Sequence, residues 1–302
     1  MYYLIYLFFY LTALLPYRVL YAVSDVIVFL MHVVFRYRLD IIMNNLEVAF
    51  PEKTIAERRR IARKFYRNFV DTFVEIIKMI RMTDQQFRER CTIDMELIRQ
   101  LEQEGKSIQF HSGHQFNWEY ANWVIAREAK IPFVGVYQVI GSKAFTRFML
   151  KIRGRYGTRL VSTREFRSRM HDVLKGQYCI GLAADQNTDP NKGLWQYFFS
   201  KPVPFVTGPE KGAIRNNTAV VFVSFDKGTK RGYYHFSTKL ITDAAAGMPH
   251  GELTRKYRDL LEETVRRSPD NYLWSHRRWR HPYLTYHAQF WIDTQPNPIE
   301  IN

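Results

Sequence analysis

Ile108-Gln-Phe-His-Ser-Gly-His-Gln-Phe-Asn-Trp-Glu-Tyr120 begins as an apolar, strand-like run, passes through the small pair Ser112-Gly113, and resumes as a helix-compatible segment, Asn117 to Ala126, free of Pro and Gly. The reading is strand, turn, helix, with His114 in the turn. Glu119 follows five residues later, so a base at the end of a loop can meet a carboxylate one turn into the next helix. Such a carboxylate fixes the imidazole tautomer and stabilises the imidazolium formed when the ring takes a proton. There is no G-x-S-x-G elbow and no Cys beside His114, which points to a His base acting directly on a substrate hydroxyl or amine. A polar loop followed by a helix cap would give the same spacing. His111 adds a possible metal pair with His114 and Glu119, but no Cys and no third nearby His completes a zinc set, so we expect no metal and no bound cofactor.

Working outward, strand and helix signals alternate, the pattern of an α/β domain. The strand candidates are Ser107 to Phe110, Phe133 to Tyr137, Arg159 to Ser162, Tyr178 to Ala183, Ala219 to Phe225 and Tyr233 to Thr238, with a short one at Thr92-Ile93-Asp94. Helices are expected at Trp118 to Glu128, Lys143 to Ile152, Glu165 to Lys175 and Gly251 to Arg267. Upstream, Thr54 and Glu57 form a capping box, and Ile61, Phe65, Phe69, Phe73 and Ile76 then keep helical spacing. No internal repeat interrupts the sequence.

The N-terminus is of another kind. Tyr2 to Leu15 is almost unbroken apolar sequence ending at Pro16. As a helix it would reach roughly 21 Å, short of the roughly 30 Å hydrocarbon core, so alone it anchors better than it spans. Val19 to Phe35 is longer, with Val19, Val23, Val26, Ile27, Leu30 and Val34 on one helical side and Tyr21, Asp25 and His32 toward another. This suits a helix packed partly on protein or lying in the membrane interface. Arg18, Arg36 and Arg38 follow the runs and no Lys or Arg precedes them, which keeps the rest of the chain cytoplasmic. We therefore expect membrane-anchoring helices in residues 1–37 and an α/β domain in 38–302.

The 302 residues carry 44 Lys and Arg against 29 Asp and Glu, a net charge of +15, which suits anionic partners. With an apolar N-terminus and no nucleic-acid module, the expected partner is a lipid or membrane rather than nucleic acid. The two cysteines, Cys91 and Cys179, lie far apart and fit a reducing compartment. Between Lys143 and Lys175, ten basic residues face only Glu165 and Asp172. Arg147, Arg153 and Arg155 compete there as phosphate ligands, the last two being set among glycines where a guanidinium fork can close on an anion. Gly181-Leu-Ala-Ala-Asp185 is an apolar strand ending in polar residues, where α/β proteins place ligands. Asp185 fits either a second site carboxylate or a turn former. The aromatic, Pro-rich stretch from Tyr197 to Lys211 reads as a packed loop or the wall of an acyl-chain groove.

Taken together these features resemble the bacterial late acyltransferases of lipid A biosynthesis, of the lauroyl and myristoyl transferase type, within the lysophospholipid acyltransferase superfamily. The likeness rests on Gly113-His114-Gln-Phe-Asn117-Trp118-Glu119, a His-x4-Glu motif, and on Leu15-Pro16-Tyr-Arg18, Ser24-Asp25, Phe50-Pro51-Glu52-Lys53 and Asp185-Gln186. Phe198-Phe199, Gly208-Pro209-Glu210-Lys211 and Tyr272-Leu-Trp274-Ser-His276-Arg277-Arg278-Trp279 complete it. The resemblance implies an acyltransferase-type mixed sheet flanked by helices and a membrane-bound O-acyltransferase. The donor would be a thioester on acyl carrier protein or CoA, and the acceptor a hydroxyl of an anionic lipid, a lipid A precursor above all. The implied location is the cytoplasmic face of the bacterial inner membrane. His114 would be the general base, Glu119 its partner and Arg153 the phosphate or transition-state contact. Gln115-Phe116 stands where many relatives have an aromatic residue and then Gly, which leaves a lysophospholipid or aminoacyl lipid open as acceptor. A thioesterase and a non-catalytic lipid-binding protein are the other classes compatible with these residues.

Overall fold

The computed structural model describes residues 2–139 and 141–298. Its first third is helical: α1 (Tyr2–Leu14), α2 (Tyr17–Phe29) running on into a π-helical turn (Leu30–Val34), α3 (Leu39–Ala49), α4 (Ile55–Met79) and α5 (Asp84–Arg90). There follow β1 (Cys91–Ile93), α6 (Glu96–Gln103), β2 (Ile108–Ser112), α7 (Trp118–Glu128), β3 (Phe133–Tyr137), α8 (Lys143–Arg153), β4 (Arg159–Ser162), α9 (Phe166–Val173) and β5 (Cys179–Ala183). The chain closes with β6 (Leu194–Phe198), β7 (Lys201–Phe205), α10 (Gly208–Asn216), β8 (Ala219–Lys227), β9 (Tyr234–Thr242), α11 (Glu252–Arg267) and a 3-10 helix (Thr285–Phe290).

Seven strands form one sheet in the order β1-β9-β8-β2-β5-β3-β4. Every neighbouring pair is parallel except β8 with β9. The α/β expectation of a mixed sheet flanked by helices holds. Strands covered on both faces must be apolar on both, and the sequence obliges. Val221, Val223 and Phe225 of β8 join Ile108 and Phe110 in a core under α5 to α8. Phe222 faces the other way, into a core with α3, α4, α11 and the β6–β7 hairpin.

That hairpin corrects the reading of Tyr197 to Lys211 as a loop. Pro202 and Pro204 alternate in β7, opposite Tyr197 and Trp195, so the missing N–H groups fall at every second position, as an edge strand tolerates. Phe199 turns the corner at φ 55°, and Gly208-Pro209 then opens α10, Pro being favoured in a first helical turn.

The N-terminal helices lie against the body. α1 packs on α4 and α8, and α2 on α4. The polar residues of α2 turn inward: Tyr21 Oη donates to Glu75 Oε1 (3.1 Å), Ser24 Oγ to Asp71 Oδ1 (2.7 Å), and Asp25 pairs with Arg231. Tyr3, Leu4, Leu7, Phe8, Leu11 and Leu14 of α1, and Val19, Val23, Val26 and Val33 downstream, stay exposed. Residues 17–34 are long and apolar enough to cross a membrane. Lys78 Nζ caps the end of α1 by donating to the carbonyls of Ala13 and Leu15, where the helix dipole favours a cation.

Candidate active site

The site lies where β2 and β5 end. These strands are parallel neighbours with His111 opposite Leu182 and Ser112 opposite Ala183. Two residues further along both chains, the same register sets His114 beside Asp185. His114 Nδ1 is 2.6 Å from Asp185 Oδ1, and the His114 backbone N–H donates to Oδ2 at 2.9 Å. Asp185 is 1% exposed. Its grip on Nδ1 leaves Nε2 as the lone-pair nitrogen, the form a general base needs. Burial pushes the imidazole down, but the charge and hydrogen bond of Asp185 outweigh it and hold His114 above its usual 6.5. Burial pushes Asp185 up, and its bonds and charge contacts with His114, helped by Arg278, bring it below 3.8.

Glu119 has a different partner from the one the spacing suggested. Both its oxygens bind the Arg153 guanidinium, with Nε at 2.9 Å from Oε2, and Trp118 Nε1 donates to Oε1 at 3.1 Å. The carboxylate on His114 is therefore Asp185, and Glu119 tethers the cation. The reason is geometric: Glu119 sits in the first turn of α7, facing the end of α8, whereas Asp185 leaves the strand beside His114. Asn117 sets that turn by accepting from the N–H groups of Glu119 (3.0 Å) and Tyr120 (3.3 Å), an N-cap.

A cavity of about 280 Å³ opens here, lined by His114, Trp118, Glu119 and Arg153 at its polar end and by Phe110, Ile125, Phe133, Leu160 and Leu182 beyond. Gly135 and Gly181 also line it, and their lack of side chains lets Leu160 and Phe133 pack close, since a Cβ would stand 3.2 Å from Leu160 Cδ2 at Gly135 and 3.0 Å from Phe133 Cζ at Gly181. Next to His114, Gly113 is packed so closely that a Cβ would lie 2.4 Å from Leu261 Cδ1. Of the other arginines singled out in the sequence, Arg147 lies over the Tyr2 ring and Arg155 over Trp123. Neither lines this cavity, so the pocket's arginine is Arg153. His111 is in the core, hydrogen bonded to Gln109 and edge-on to Tyr257.

An imidazole held by a carboxylate, a tethered arginine and an apolar slot together suit transfer of a group from a long-chain ligand. The family model for bacterial lipid A biosynthesis acyltransferases matches residues 1–281. The chain belongs to that family. A search of curated proteins finds no match. As a lipid A biosynthesis acyltransferase it requires an acyl donor and a lipid acceptor. Three supports hold the acyltransferase's His114 loop from below. Phe116 N–H donates to Asn271 Oδ1 (3.0 Å), Tyr257 Oη donates to the Ser112 carbonyl (2.8 Å), and Asn117 Nδ2 donates to Glu75 Oε2 (3.0 Å). None of Glu75, Tyr257 and Asn271 was marked by sequence spacing, since each lies far from the motif along the chain.

Proposed function

We propose that this protein moves a fatty acyl chain from a thioester, carried by acyl carrier protein or CoA, to a hydroxyl of an anionic lipid, a lipid A precursor, at the cytoplasmic face of the bacterial inner membrane. The observation that carries the reading is the 2.6 Å contact of His114 Nδ1 with Asp185 inside the pocket that also holds Arg153. His114 Nε2 takes the proton of the acceptor hydroxyl, the oxygen attacks the thioester carbonyl, and as the C–S bond breaks the imidazolium returns the proton to the leaving thiolate. The imidazolium formed is stabilised by Asp185, the base and orienter arrangement common to acyl-transfer sites. Glu119 keeps Arg153 in place as the positive charge for the acceptor phosphate or the developing oxyanion. The apolar end of the cavity takes the chain next to the carbonyl. Residues 1–37 hold the 38–302 body at the bilayer, where the lipid acceptor resides.

Lipid extracts from cells carrying the intact protein and His114→Ala, analysed by mass spectrometry, test this directly. The expected result is one lipid class lacking an acyl chain in the mutant, with the mutant protein at normal level in the membrane. An unchanged lipid profile under those conditions removes the proposal.

A further inference from the structure

A second cavity, of about 300 Å³, lies between α1, the end of α4, α7 and α8, lined by Tyr6, Met79, Trp123, Phe148, Lys151 and Arg155 among others. It shares no lining residue with the pocket around His114. Its walls are apolar and its rim cationic. Arg155 Nη1 donates to the Met79 carbonyl at 3.3 Å while its guanidinium carbon stands 5.0 Å from the Trp123 ring centre, and Lys151 Nζ stands 4.2 Å from that of Tyr6. Two more cations continue the row along α1, Arg147 over Tyr2 and Arg81 over Tyr10.

Aromatic faces fix these charges without neutralising them. Within residues 143–155, Arg153 is the one basic side chain paired with a carboxylate among the described residues. The row thus keeps its positive charge. It lies along the inner face of α1, whose outer face carries the exposed apolar residues Leu4, Leu7, Phe8 and Leu11. Fixed cations bordering both an apolar cavity and an exposed apolar helix match a molecule with a phosphate at one end and hydrocarbon at the other.

We propose that this cleft binds an anionic phospholipid of the bilayer, its phosphate between Lys151 and Arg155 and the start of a chain in the cavity, as a site separate from the acyl-transfer pocket. Because α8 carries Lys151 as well as Arg153, the bound lipid braces the helix that delivers the pocket's cation.

The test reads binding rather than transfer, so it stands or falls apart from the catalytic reading. Full-length protein in a neutral detergent is titrated with phosphatidylglycerol bearing brominated chains, and tryptophan emission is followed. Quenching is expected for Trp123, and it should disappear in Trp123→Phe. Lys151→Gln with Arg155→Gln, both exposed side chains, should weaken binding about 10- to 30-fold, at about 1 kcal/mol per basic residue near an anionic surface. Phosphatidylcholine with the same chains should bind weakly, and inorganic phosphate should not displace the lipid. Equal quenching by the two lipids, or no response to the double substitution, overturns the proposal. So does quenching lost in Trp118→Phe instead, since Trp118 lines the transfer pocket.

Discussion

Glu75 Oε2 accepts a hydrogen bond at 3.0 Å from Asn117, whose own side-chain oxygen caps the helix carrying Glu119. The carboxylate is fully buried and also accepts from Tyr234 Oη (2.7 Å) and, through Oε1, from Tyr21 Oη of α2 (3.1 Å). A chain of hydrogen bonds therefore runs from an N-terminal helix with an exposed apolar face to the turn that sets the pocket.

Glu75→Gln replaces one acceptor oxygen with an amide N–H₂ in a cluster made of donors. A buried group left without a partner costs about 1–3 kcal/mol, and the Asn117 cap loses its support. We expect a lower melting temperature and a lower kcat, whereas Tyr21→Phe, which removes the outermost bond alone, should leave kcat close to wild type. Thermal denaturation with steady-state kinetics of both variants checks this; a Glu75→Gln enzyme with unchanged kcat would show that the loop is held without it.

Asp185→Asn addresses the base. The proposed mechanism needs neutral His114, so its raised pKa should place the acid limb of the kcat/KM profile above pH 6.5. Removing the Asp185 charge should move that limb to lower pH and, by weakening control of the tautomer, reduce kcat about a thousandfold or more. Stability follows with its own sign. The Asp185 contribution is present above 3.8 and lost as pH falls through its lowered folded value; the His114 contribution is complete below 6.5 and lost as pH rises through its raised one. Wild type should thus be favoured over Asp185→Asn most strongly between those limits, which denaturation across pH can measure.

Local signals and long-range ones differed in how far the sequence disclosed them. β3, β4 and α7 were legible to the residue, because Phe133–Tyr137 is a short apolar run, Arg159–Ser162 a short segment centred on Leu160-Val161, and the stretch from Asn117 is free of Pro and Gly. The hairpin of β6 and β7 was hidden by Pro202 and Pro204, which argue against a strand unless their partners are known. His114 was legible as the candidate base; the carboxylate that the fold sets against it was not. Asp185 reaches it through the parallel register of β2 and β5, a pairing 71 residues apart that no local spacing encodes. Glu119, five residues away, was the visible carboxylate, and the fold uses it to hold Arg153.

The Glu119–Arg153 pair separates fixing a charge from merely having one. Glu119 is 1% exposed, so Arg153→Ala leaves a buried carboxylate unpaired, at a cost of about 3 kcal/mol, the low end for such pairs because the arginine is partly solvated. Arg153→Lys keeps the charge but loses the two-pronged fork. Thermal stability should rank wild type, Lys, then Ala. On the proposed reading, KM for the anionic lipid should rise from wild type to Lys to Ala. Equal KM values in all three would separate Arg153 from substrate binding.

We expect membrane attachment to rest on the outward face of α1. Phe8 and Leu11 are 64% and 53% exposed, so replacing both with Gln should leave folding intact while removing hydrocarbon that would otherwise enter the lipid. Full burial of such a side chain contributes about 1.5–3 kcal/mol; with half of each already shielded by the protein, the pair should contribute about 2–3 kcal/mol. That corresponds to roughly 30- to 150-fold in vesicle partitioning. The measurement is flotation with lipid vesicles beside a thermal melt of the same preparation. Weakened flotation with an unchanged melt identifies α1 as an anchor. Unchanged flotation would mean that the segment 17–34 carries the attachment by itself, and α1 would then be a packing helix whose exposed face the membrane does not use.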